Sequence, residues 1–236
     1  MKIYAGDVNA ITGKPYTDGL HAGPQDYVVC PDQLWLDGIN TGHGTIRQFV
    51  AMPLGLGYTI EAAITGEEKY GGLQVVVFEP KPGRFPEKPP PEPETGPVRF
   101  AHPERQMAAQ PMGLGAGGVM KQKIYPDLHG IDAWDQNNYG RVVVHSMNSA
   151  QFFEITGIQP PPSPMDAKTY TKHGLPWFDL YDETKGTVAP SDLLSKVKTI
   201  TERDKERGGH AEGNQSIDVS EKHIKKIRPD NERKKE

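Results

Sequence analysis

The chain reads as a mainly-β protein: two β-rich halves with sandwich- or barrel-like sheets, short helices, and a disordered, charged C-terminal tail. Three observations predict this. Glycine and proline number 26 and 22 among 236 residues, and both punctuate turns rather than build helix interiors. Apolar residues recur in short runs, two of which hold three consecutive valines, at 75–77 and 142–144. Gly-Pro, Asp-Gly and Gly-Gly pairs lie between the runs and mark turns.

The first half spans residues 1–80. Met1 to Tyr4 alternates, as a strand does, and Asp26 to Cys30 is a short apolar run read as a second strand. Thr45 to Met52 and Tyr58 to Ile64 show partial period-two alternation, which predicts two more. Leu73 to Glu79 (LQVVVFE) carries the strongest strand signal, because β-branched side chains lose freedom in a helix and fit a pleated surface. Residues 81–98 are rich in proline, which lacks the amide proton a central strand needs. They predict a semi-rigid linker, with a docking peptide as the alternative.

The second half, 99–190, opens on MAAQPMGLGAGGVM, nearly uncharged and rich in glycine, and continues into an acidic loop, YPDLHGIDAWDQNNYG. Gly140 to Met147 then predicts a strand. Ser149 to Ile155 is ambiguous, with a short helix capped by Asn148 or Ser149 as one reading. Gln159 to Pro164 imposes an extended crossing. Asp166 to His173 predicts a short helix, and LPWFDLY, 175–181, an aromatic strand or plug. The tail, 191–236, starts with a helical pattern over 191–207 and becomes charged and low in aromatics. Ile-Thr-Gly recurs at 11–13, 64–66 and 155–157; Thr-Gly is a common strand-ending turn, so the repeat does not establish a duplication.

Charge narrows the function classes. The formal net charge is −4. From Lys196 onward 12 basic residues stand against 9 acidic ones, leaving 15 basic and 22 acidic in the remainder, a net of −7. An acidic body disfavours nucleic acid as a partner. A single cysteine excludes an intrachain disulfide framework, and its place in the apolar run YVVC predicts a buried, inert thiol. No run approaches the roughly 18 apolar residues of a membrane span and no leader pattern opens the sequence, so the expected location is cytoplasmic.

Chemistry-bearing motifs are few. Gly113, Gly115 and Gly118 match G-x-G-x-x-G, but the pattern binds a dinucleotide only between a strand and a helix, and no such flanks are predicted. Asp127, His129 and Asp132 are the candidate metal ligands, with His145 as an alternative third donor. The competing reading is a turn-capping loop. Trp177, Phe178 and Tyr181 are candidate binding aromatics, or core. No catalytic residue is assigned and no cofactor is predicted; a divalent metal at the Asp/His loop is the alternative.

Taken together, LGAGGVMKQKIYPD, VVVHSMNSAQFFEITG, QPPPSP and YTKHGLPWFDLYDE, with QDYVVCPDQLWLDGI and RQFVAMPLGLGYTIEAAITGEEKYGG, resemble an uncharacterised family of fungal and bacterial proteins. The resemblance covers about residues 1–190 and implies no activity and no catalytic residues. MKIYAGDVNAITGKPY is also similar to the first hairpin of a ubiquitin fold, with Thr12-Gly13-Lys14 at the turn. The reading of the residues is a non-enzymatic binding or structural protein with a protein partner or self-association. The alternatives are a metal-assisted enzyme using the Asp/His loop, and a membrane-associating or pore-forming protein led by the glycine-rich segment.

Overall fold

Strand β1 (Lys2–Ala5) has both faces buried. Ile3 and Ala5 enter one hydrophobic cluster and Tyr4 a second on the opposite face, as the two-residue period of a strand requires. The chain turns at Gly6 (φ 65°) into β2 (Val8–Asn9). The residues described in this computed structural model are 1–86, 112–160, 177–180, 186–208 and 224–227. On its other side β1 pairs antiparallel with β5 (Leu73–Pro80), Ile3 opposite Val75, and β5 pairs with β7 (Trp134–Val144). The result is a four-stranded sheet in the order β2-β1-β5-β7.

A second antiparallel sheet runs β3 (Gly38–Gly42), β4 (Thr45–Pro53), β6 (Met112–Lys121). Backbone of β8 (Trp177–Leu180) and β9 (Ile224–Ile227) forms a parallel pair. The larger cluster takes Ile3 and Val8 from the first sheet and Ile39, Ile46 and Ala116 from the second, so the main core is shared between the two sheets. The mainly-β class is therefore the observed one. The two halves do not keep separate sheets: β6 completes the sheet of β3 and β4, and β7 pairs with β5.

Among the described residues, four short helices accompany the sheets: α1 (Ile60–Thr65), α2 (Ser149–Thr156), α3 (Asp192–Ser195) and α4 (Ile200–Glu206). Among the described residues, no helix is long and apolar enough to cross a membrane. The predicted strand over Tyr58–Ile64 is instead α1. Thr59 accepts from the amide of Ala62 as the N-cap, and Gly66 (φ 81°) closes the helix, two end signals that outweigh the loose alternation of 58–64. The ambiguous segment after Asn148 is α2, with a full capping box between Asn148 and Gln151.

The Ile-Thr-Gly recurrence has a local cause. Gly13, Gly66 and Gly157 all have positive φ, and the last two end α1 and α2. The repeat is a chain-reversal device.

Other expectations are corrected. Asp26–Val29 is buried but forms no named strand; Val28 and Met1 exchange two backbone hydrogen bonds of 2.8 Å. Cys30 is exposed, because the apolar run ends where the chain turns outward at Pro31. Partial burial of its Sγ nevertheless raises the thiol above its ordinary value, with Asp32 adding to the rise against the N-terminal ammonium, which leaves it a poor nucleophile. The first hairpin turns at Gly6, not at Thr12-Gly13-Lys14, which closes a separate turn through Asn9.

The strand expected from Gly140 begins at Trp134. Cross-strand aromatic packing explains the extension, since Tyr139 lies opposite Phe78 with ring centroids 5.6 Å apart, and such pairs offset the weak strand preference of Asp and Asn. The glycine-rich segment from residue 112 forms strand β6. Side chains at Gly113, Gly115 or Gly117 would come within 2.7–3.0 Å of Leu54, Met52 and Val50 respectively, so close sheet packing requires glycine there. Gly113, Gly115 and Gly118 consequently share one strand, without the turn and helix a phosphate cradle needs.

The body does not end at residue 191. Leu194, Val197 and Ile200 are buried, and the Ser191 hydroxyl donates to the carbonyl of Thr12 at 2.6 Å. Most of the proline-rich linker, residues 107–111 of the glycine-rich segment, the helix predicted over 166–173 and the terminal tail beyond 227 lie outside the described residues.

Candidate functional site

The Asp/His loop is organised around Asp127. Its Oδ2 accepts from the Tyr27 hydroxyl (2.6 Å) and Trp134 Nε1 (2.8 Å), and its Oδ1 from the amides of His129 (2.8 Å) and Gly130 (3.2 Å). Burial alone would raise this carboxyl. The hydrogen bonds from Trp134, Tyr27, His129 and Gly130 together outweigh it and hold the group below the usual carboxylate value. Burial, with the Asp127 bond and charge next, pushes the Tyr27 phenol upward.

His129 stands away from that carboxylate. Its Nε2 lies 3.5 Å from Asp32 Oδ2, and its ring packs edge-on against Phe85 and Trp134. Asp132 is exposed on the 3₁₀ turn Ile131–Ala133. The three candidate ligands do not converge, and among the described residues no group of three His, Cys, Asp or Glu side chains could hold a metal ion. His145 is exposed at the end of β7. Trp177 and Phe178 fall on β8; their side chains and Tyr181 lie outside the described residues.

Asp127 gives an acid-stability prediction. Its folded value is lowered from 3.8, so its contribution is present above that value and is lost as the pH falls through the folded value. Asp127→Asn should therefore be less stable than the parent near pH 7, and the gap should narrow toward about pH 3. Urea unfolding at the two pH values measures this; a gap that widens in acid contradicts it.

A second cluster lies where β1, β2 and residues 9–26 meet. Lys2 is fully buried, and its ammonium bonds Asp26 Oδ2 (2.9 Å), the carbonyls of Gly19 (2.6 Å) and Thr17 (2.8 Å), and Thr17 Oγ1 (3.2 Å). Asp26 Oδ2 also meets His21 Nδ1 at 2.8 Å, while Oδ1 accepts the His21 amide at 2.9 Å. An ionised carboxylate only accepts hydrogen bonds, so Nδ1 carries the proton and Nε2 is left as the ring's other nitrogen.

Asn9 braces the cluster. Its amide nitrogen donates to the carbonyl of Asp26, and its Oδ1 accepts from Ile11, Thr12 and the Thr12 hydroxyl. A cavity of about 90 Å³ opens here, lined in part by Lys14, Thr17, His21 and Asp26. Sequence reasoning missed this cluster because Lys2 is far in the chain from His21 and Asp26, and the three residues form no motif. The usable signal was a lysine at an inward position of an otherwise apolar strand.

The third feature is surface. β7 ends its sheet, and every residue from Gln136 to Val144 is exposed. Tyr139 and Val142 are each 56% exposed. Half of the exposed large apolar side chains among the described residues fall between Tyr139 and Ile158. Comparison with known proteins finds no matching family model, no matching curated protein and no matching solved structure.

Proposed function

We propose that the chain is a non-enzymatic binding protein that associates with a second copy of itself through the outer edge of β7. The observation that carries the reading is the 11-residue edge strand, exposed from Gln136 to Val144 and presenting Tyr139 and the three valines 142–144. Such an edge offers backbone donors and acceptors to another strand, and protein sheets normally blunt or cover edges of this kind. A second copy is favoured as the occupant by charge. Antiparallel pairing of β7 with its own copy about Asn138 sets Asp135 of each chain opposite Arg141 of the other. Directly opposed unlike charges stabilise a strand pair, and like charges weaken it.

The alternatives draw less support. The Asp127 carboxylate is already engaged by four donors, which leaves little for a metal-assisted reaction at that loop. In the glycine-rich segment, residues 112–117 are largely buried within a sheet, which leaves little of that stretch to meet a lipid surface.

Sedimentation over a range of concentrations tests the proposal. The parent should dimerise, Arg141→Asp should weaken the dimer at least about tenfold, and Asp135→Arg combined with Arg141→Asp should restore it. A parent that stays monomeric throughout, or a double variant no better than the single one, sinks the reading. Circular dichroism of each variant separates lost association from lost folding.

A further inference from the structure

We infer that the cavity beside the N-terminal hairpin is a binding site for a small hydroxycarboxylate. The polar groups around it divide into those already satisfied and those still able to bond. Asp26 is occupied by Lys2 and by both nitrogens of His21 that face it, the ring Nδ1 and the main-chain amide. The side chain of Asn9 is committed on both its nitrogen and its oxygen, and the Thr12 hydroxyl donates to Asn9 while accepting from the amide of Lys14. None of these can turn to a ligand without breaking the loop.

Three groups retain capacity. His21 Nε2 accepts when the imidazole is neutral, since Asp26 holds the proton on Nδ1. The Thr17 hydroxyl accepts from Lys2 and keeps its own proton to donate. Exposed Lys14 lines the same cavity, and its ammonium has no carboxylate partner among the described residues. Two donors, one of them cationic, call for a carboxylate, and the single acceptor calls for a hydroxyl. The cavity is small, about 90 Å³, which favours a small acid.

The buried Lys2–Asp26 pair explains why the site can take an anion at all. Without Lys2, the Asp26 carboxylate would repel it. With Lys2 at 2.9 Å the carboxylate is compensated, and it acts on the ligand only by fixing the His21 ring.

The site does not depend on the β7 reading, and its test is separate. Glycolate and acetate are titrated into the full-length chain in mildly alkaline buffer and followed by amide NMR shifts. Glycolate should saturate, with shifts centred on residues 9–26, and bind at least tenfold more tightly than acetate, which lacks the hydroxyl. His21→Ala should bring glycolate down to the acetate level without weakening acetate, and Lys14→Met should weaken both. Both side chains belong to exposed residues, so the second variant serves if the first unfolds. Equal binding of the two acids, shifts centred elsewhere, or no shift with glycolate overturns the inference.

Discussion

Asp26→Ala is expected to destabilise the protein by about 3–5 kcal/mol, because removing one partner of a buried ion pair leaves the other charge uncompensated. Lys2 is fully buried and the Asp26 side chain is 8% exposed. After the substitution the ammonium would face only Thr17 and Gly19 oxygens, all neutral. The His21 amide would also lose its acceptor. Urea unfolding of the parent, Asp26→Ala, Lys2→Met and the double variant Lys2→Met with Asp26→Leu measures the effect. The double variant should be more stable than Asp26→Ala, since two apolar side chains leave no stranded charge. A single-variant loss below about 1 kcal/mol would mean that water reaches Lys2.

Glu61→Ala is expected to cost a similar amount, about 3–5 kcal/mol, for a different reason. Glu61 is 2% exposed, and its carboxylate accepts from three consecutive backbone amides, Lys69 (3.0 Å), Tyr70 (2.8 Å) and Gly71 (2.9 Å). The loop that returns the chain from α1 to β5 thus takes its shape from one side chain. Alanine would strand three donors and open a void against Gly6, where an added Cβ would already lie 2.4 Å from Glu61 Oε2. Glu61→Gln keeps the shape and one carbonyl oxygen, so it should lose roughly half as much. Thermal melts of the two variants provide the check, and equal losses would show that shape alone matters.

Glu61 also shows where reading the sequence fails. In YTIEAAI the alternation places Ile60, Ala62 and Ile64 on one face and Glu61 on the exposed one. The helix that forms instead buries both Ile60 and Glu61. No local pattern reports that a carboxylate will be enclosed by amides eight to ten residues away. By contrast, LQVVVFE and GRVVV were legible as strands, because three β-branched residues in succession strongly disfavour a helix. The capping boxes of Asn148 and Thr199 were legible in principle as well, since both partners lie within one turn.

The candidate sites divide on the same principle. Asp127, His129 and Asp132 stood out because chemistry-bearing residues clustered in sequence, yet the carboxylate is used up in capping its own turn and the imidazole packs on aromatics. Lys2, His21 and Asp26 carried no local signature, and Lys2 meets the other two only because β1 and the 9–26 loop fold onto each other. The exposed valine run of β7 lies between the two cases. Its valines were visible, but their exposure depends on which strand ends the sheet.

By itself the sequence determined the β class, the strongest strands and the turns, because those follow from side-chain branching, proline geometry and glycine freedom at single positions. Only the tertiary structure decided that the two halves share both sheets, that residues 191–200 help close the core, and which polar groups are paired inside it. Those outcomes depend on contacts between residues up to 179 positions apart, as Ser191 and Thr12 are. The free energy of such contacts depends on what each group meets after burial, which no window of neighbouring residues contains.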